Sequence, residues 1–121
     1  MDFPEVEKIS ESRKVTKDSA FLLMEEQECS RIYFHTDKLI FSVSSLLPGQ
    51  STPMDSGHRD AYEVVYCMQG KVVLHLPDED RYESLEDGEA VCIRPSSKHQ
   101  AINVGQEIAR LSWSLAPHMG K

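Results

Sequence analysis

The sequence has no basic cluster larger than the pair Arg13-Lys14, and its formal net charge is −7. A nucleic-acid partner is therefore not expected, because phosphate binding needs a basic stripe. It also lacks a long hydrophobic run. The longest largely apolar stretch, Leu39 to Leu47, is broken by serines and falls well short of the roughly 20 residues that span a bilayer. The start, Met1-Asp2-Phe3-Pro4-Glu5, has neither a basic opening nor an apolar core, so no signal peptide is expected. Cysteine is sparse: Cys29, Cys67 and Cys92 are an odd number without metal-type pair spacing. Reduced thiols in a cytoplasmic protein are the simplest expectation. Internal repeats, low-complexity segments and helical periodicity are all missing from the 121 residues.

What remains is a succession of short β-type runs in a chain sized for one domain. Phe21-Leu22-Leu23-Met24 reads as a strand closed by the acidic run Glu25-Glu26-Gln27-Glu28, taken as a solvated turn. Arg31 to His35 is the next strand, Thr36-Asp37-Lys38 a tight turn, and Leu39 to Leu47 a long strand. In that strand Leu39, Phe41 and Val43 share one face while Ser42 and Ser44 take the other, the alternation of a half-buried strand. Further runs follow from Glu63 up to Gly70 and at Lys71–Leu76, Arg81–Leu85, Ala90–Ile93, Gln100–Val104 and Ile108–Leu115. Short strands with turns at regular intervals predict an all-β sandwich or barrel. Residues 1–20 are polar and read as an N-terminal arm that packs on a partner subunit, residues 21–117 as the barrel, and residues 118–121 as a frayed tail.

Two stretches carry the chemistry. His58 and Glu63 stand ahead of and at the start of an apolar run that Gly70 closes, and His99 follows Arg94-Pro95-Ser96-Ser97-Lys98. Two histidines and a carboxylate on neighbouring strand ends are the minimum set for a mononuclear metal site. His58 and Glu63 are an odd number of residues apart, so both face inward only if the chain bends near Arg59-Asp60-Ala61.

The spacing of these residues resembles the cupin family, whose double-stranded β-helix, a jelly-roll barrel, is marked by two motifs. Glu63 and Gly70 keep the six-residue gap of the first motif, and His58 precedes Glu63 by the longer permitted gap. Gly88, His99 and Asn103 match the second motif at every spacing, seventeen residues beyond the first. Ser56 occupies the slot of the first motif's leading histidine, Gly49 comes one residue early, and Arg94 and Ser96 replace a proline and a glycine of the second. The resemblance covers about Leu39 to Pro117 and implies a metal held by His58, Glu63 and His99. Separately, Asp55 or Asp60 offers a further donor from the loop, where acidic residues are more often simply solvated. Such a triad suits Fe(II), with Mn, Ni or Zn as alternatives.

The resemblance also implies a homodimer and a small organic ligand or substrate inside the barrel. Two functional classes follow: a metal-dependent oxygenase, isomerase or lyase, or a non-catalytic sensor or carrier of a small molecule. Tyr33, Tyr66 and His75 are the nominees for acid–base work, and Arg94 for gripping a substrate carboxylate. Cys67 and Cys92 read as small hydrophobes within strands, and Trp113 as a core or interface anchor.

Overall fold

The computed structural model describes residues 3–117. It contains nine strands: β1 (Phe21–Glu25), β2 (Glu28–His35), β3 (Ile40–Leu46), β4 (Tyr62–Gln69), β5 (Lys71–Leu76), β6 (Arg81–Glu86), β7 (Ala90–Ile93), β8 (Gln100–Asn103) and β9 (Ala109–Ala116). They form a six-stranded sheet in the order β1-β2-β3-β9-β4-β7 and a three-stranded sheet in the order β6-β5-β8. All pairings between strands are antiparallel. This is the all-β architecture that the strand pattern predicts, in the jelly-roll form that the family resemblance implies. Residues 118–121, expected as a tail, lie outside the described residues, as do Met1 and Asp2.

The inner faces of the two sheets make one core. Leu46, Val65, Cys67, Val72, Leu74, Leu76, Leu85 and Leu111 are all 1% exposed or less. Period-two alternation puts them there: β4 turns Val65 and Cys67 inward, and β9 turns Ala109, Leu111, Trp113 and Leu115 inward. Each large aliphatic side chain so buried contributes about 1.5–3 kcal/mol. Asn103 staples the core to its loops. Its Nδ2 donates to the carbonyls of Leu46 and Glu107 at 2.9 Å each, and its Oδ1 accepts the Gly105 amide at 2.8 Å. Gly70 lets β4 turn into β5 at φ 100°, where a Cβ would meet the Ala109 Cα at 3.0 Å.

Along β3 the serine face, not the Phe41–Val43 face, looks inward. Ser44 is completely buried, and Ser42 and Ile40 line a cavity beyond the core. The barrel interior therefore changes from apolar to polar along the same strand.

Contacts within the chain place the described part of the arm, and the reading of the acidic run needs correction. The described part of the N-terminal arm packs on its own barrel: the Glu7 amide donates to the His35 carbonyl at 2.8 Å, and Glu7 bridges Thr36. Nδ1 of His35 lies 2.7 Å from the Pro4 carbonyl, and the Phe3 ring meets the His35 ring edge-on at 5.0 Å. The acidic run, by contrast, is not a solvated turn throughout. Only Glu26 and Gln27 make the turn, with Glu26 at φ 54°, and Glu28 already belongs to β2. Cys67 is buried as expected, whereas Cys92 is exposed on the outer face; both, with Cys29, are free thiols. Among the described residues no helix is long and apolar enough to cross a membrane.

Candidate metal centre

A cavity of about 340 Å³ opens between the sheets. His58, Glu63 and His99 all line it, and so do Asp55, Glu28 and Trp113. Glu63 reaches it from the start of β4, on the inward parity it shares with Val65 and Cys67. The chain does bend between His58 and β4, through a turn at Arg59-Asp60, so both residues reach the cavity despite their odd separation.

His99 enters from the segment just before β8. Its amide donates to the Asp55 carbonyl at 3.0 Å and its carbonyl accepts the Asp55 amide at 2.8 Å. This isolated antiparallel bridge puts the two side chains next to each other. The Asp55 carboxylate is fixed in turn by its Oδ1, which accepts the Gly57 amide at 2.8 Å. Its Oδ2 then lies 3.7 Å from His99 Nε2 and 3.9 Å from His58 Nε2. Gly57 is at φ 85°, and a Cβ there would lie 2.7 Å from the Ser97 carbonyl oxygen. Ser96, where the family motif has glycine, keeps the left-handed φ of 62°.

The electrostatics of the cluster call for a cation. His99 is 2% exposed. Its Nδ1 sits 3.0 Å from the Ser97 carbonyl, which can only accept, so Nδ1 carries a proton and a neutral ring offers the Nε2 lone pair inward. That nitrogen stands 2.9 Å from Oε1 of Glu63. Oε1 is nonetheless buried without a hydrogen bond of good geometry among the described residues. Two lone pairs at that separation repel unless a proton or a metal ion supplies positive charge. Burial lowers the His99 pKa, but the Glu63 carboxylate, the Ser97 carbonyl and Asp55 outweigh it, and the net direction is upward.

Asp55, His58 and Glu63 each offer a ligand atom within 4.8 Å of the others. With His99 they make two carboxylates and two imidazoles, a set suited to a divalent first-row ion. Asp55, one of the two loop donors the sequence offers, stands next to the cluster, whereas the side chain of Ser56, in the slot of the family's first histidine, is exposed.

The acid–base nominees stand elsewhere. Tyr66 lies three positions from Glu63, hence on the opposite, outer face of β4, 43% exposed. Tyr33 faces away from Ile32 and packs on Phe41, with ring centroids 6.0 Å apart, beside a second, smaller cavity under the arm. His75 stacks on Tyr82 at 4.4 Å on the outer face of the three-stranded sheet. Arg94 is 54% exposed, its Nε 3.5 Å from Glu79; it does not line the cavity. The reason is common to the first three: strand parity turns each outward.

Glu28 is the residue the sequence did not reveal. It is 9% exposed, on the inward face of β2 with Ser30 and Ile32. Burial pushes its carboxyl from 4.5 up to about 7, opposed by a hydrogen bond with Ser44 and reinforced by Glu25, Glu63 and Asp55. A folded-state pKa above the unfolded one means that the folded protein holds this proton more tightly. The associated stability is complete below about pH 4.5 and is lost as pH rises through about 7, up to about 3 kcal/mol in total. In metal-free protein, Glu28→Gln should raise the melting temperature at about pH 8 and change it little at about pH 5. Equal shifts at both values would contradict the assignment.

With the geometry in place, the kinship follows. The chain matches the cupin domain over residues 42–115, more than half its length. It belongs to the cupin family. Solved structures share its fold. A Thermus thermophilus protein has TM-score 0.68 and 24% identity, over 77% of this chain and 86% of its own. The polyketide cyclase RemF of Streptomyces resistomycificus gives 0.72 and 19%, over 89% and 81%. A predicted oxalate decarboxylase of Thermotoga maritima gives 0.76 and 14%, over 87% and 99%. At such identities the likeness is one of fold alone. No curated protein matches the chain by sequence.

Proposed function

We propose that this cupin holds one divalent ion between Asp55, His58, Glu63 and His99 and acts on a small organic molecule in the adjoining cavity. The observation that carries the reading is the buried Glu63 Oε1, which has no good hydrogen bond and faces an imidazole lone pair. A buried acceptor left unpaired costs about 1–3 kcal/mol, and a cation removes that cost. When bound, a divalent ion acts as a Lewis acid toward an oxygen of the substrate. The chain's own residues do the rest. Asp55 is clamped by Gly57, His99 by Ser97, and the Trp113 ring lies 5.9 Å from the His99 ring, inclined by 30°. Glu28 holds or releases a proton within the same cavity.

Reactions of the oxygenase, isomerase or lyase type fit an open site of this kind. The names of two structural neighbours, a polyketide cyclase and a predicted oxalate decarboxylase, support an enzyme. The test is a screen of small oxygen-bearing organic molecules against Fe(II)-, Mn(II)- and Ni(II)-loaded protein, read as product mass and oxygen uptake. Turnover should disappear in Glu63→Ala with the fold retained. Ligands that bind and emerge unchanged under every metal would leave a carrier or sensor instead.

We also propose that the protein is a homodimer. Tyr62, Val64, Tyr66 and Met68 form an exposed, largely apolar row on the outer face of β4, a surface that self-association would cover. Light scattering should return twice the 13.7 kDa chain mass; a single-chain mass would refute it.

A further inference from the structure

The cavity is unusual in the balance of its lining. Four carboxylates, Glu25, Glu28, Asp55 and Glu63, reach it, and among the described residues no lysine or arginine does. A divalent ion at the centre would balance Asp55 and Glu63, leaving Glu25 and Glu28 without a counter-charge. Glu25 is exposed at the turn between β1 and β2, whereas Glu28 is buried within the wall. The remaining lining is apolar or hydroxylic, including Phe3, Ile32, Met54, Trp113, Ser42 and Thr52.

Glu28 is also held in place. The Trp113 Nε1–H donates to Ser44 Oγ at 2.9 Å. That bond occupies an acceptor lone pair of the Ser44 hydroxyl, whose own proton is then available to the Glu28 carboxyl that it hydrogen-bonds. Ser44 is completely buried, so water does not compete for it. One carboxyl oxygen is thus committed to the wall, and the group as a whole borders the cavity.

We propose that this cavity takes a neutral or cationic molecule bearing a hydrogen-bonding oxygen or nitrogen, and that Glu28 meets that group and turns organic anions away. The proposal rests on the reading of this cavity as the ligand chamber. Its chemistry is direct: the Glu28 carboxylate accepts from a hydroxyl, an amide N–H or an ammonium and repels a second carboxylate at close range. Arg94, which would have favoured an anionic substrate, is paired with Glu79 outside the cavity.

The test compares three probes of similar size: benzamide (uncharged), benzoate (anionic) and benzylammonium (cationic). Trp113 lines the cavity and is the chain's single tryptophan, so its emission, together with calorimetry, reports entry. In Zn(II)-loaded protein at about pH 8.5, where Glu28 is ionised, benzamide should bind at least about tenfold more tightly than benzoate, the scale of one unscreened like charge in a partly buried site. Glu28→Gln should bring the two within about threefold by removing that charge. Benzylammonium should bind at least as tightly as benzamide; benzoate binding as tightly as either would overturn the proposal, as would no benzamide binding at millimolar concentration. An unchanged ratio in folded Glu28→Gln would overturn it too; if that variant does not fold, the wild-type ratios decide. Zinc content of the same samples keeps the two readings apart. Selectivity without zinc refutes the metal centre alone, and bound zinc with reversed selectivity refutes this inference alone.

Discussion

Replacing His99 with alanine should lower the affinity for Zn(II) or Mn(II) by at least about 100-fold, or about 2.7 kcal/mol. The ring is almost fully buried, its orientation is set by the Ser97 carbonyl, and its Nε2 lies within 4 Å of both Asp55 and Glu63. Asp55, His58 and Glu63 remain in the variant, but His58 and Asp55 have side chains 42% exposed and water competes for them. The loss is therefore that of the one imidazole whose lone pair is prepared in advance. The variant also leaves Glu63 buried without its neighbour, so metal-free protein should lose about 1–3 kcal/mol of stability. Calorimetric titration beside a circular-dichroism check of folding measures both. Equal affinity in wild type and variant would remove His99 from the centre.

The second large effect comes from a residue that binds nothing. Gly57→Ala should abolish tight metal binding and destabilise the fold at the same time. A left-handed backbone costs a residue with a Cβ about 1–2 kcal/mol, and the new atom would meet the Ser97 carbonyl oxygen at 2.7 Å and its nitrogen at 2.8 Å. Overpacking adds about 1–3 kcal/mol. Both neighbours are backbone atoms, so no side chain can swing aside. Relief requires moving either the Asp55–His58 loop or the Ser96–His99 segment, and each carries ligands. Thermal melting and metal titration should fall together; a variant that melts and binds as wild type does would contradict this packing.

The fold was readable in the sequence because turns and apolar alternation are local signals. All nine strands lie where those signals put them, apart from the start of β2. The cavity residues were readable where the family spacing marks them, at His58, Glu63 and His99. Parity on β4 would also have turned Tyr66 outward, since it is three positions from Glu63.

Other features depend on pairing between distant segments. Asp55 joins the centre because it bridges His99 across 44 residues of chain, a contact that no local pattern encodes. Glu28 was hidden inside an acidic run whose middle two residues alone make the turn; burial against β3 gives it its chemistry. The serine face of β3 looks inward because the polar cavity, and not the core, lies beneath part of it. Ser96 holds a glycine-like conformation without being glycine, so the motif's departure there left the loop's path intact.

The central claim is the metal centre, and elemental analysis of untagged protein, purified without chelator and dialysed against metal-free buffer, tests it most directly. The account predicts about one equivalent of a single first-row divalent metal per chain, removable by chelator at lowered pH as His99 and the carboxylates take up protons. Trace metal alone, equal in wild type and His99→Ala and not restored by added Fe(II), Mn(II), Ni(II) or Zn(II), would contradict it.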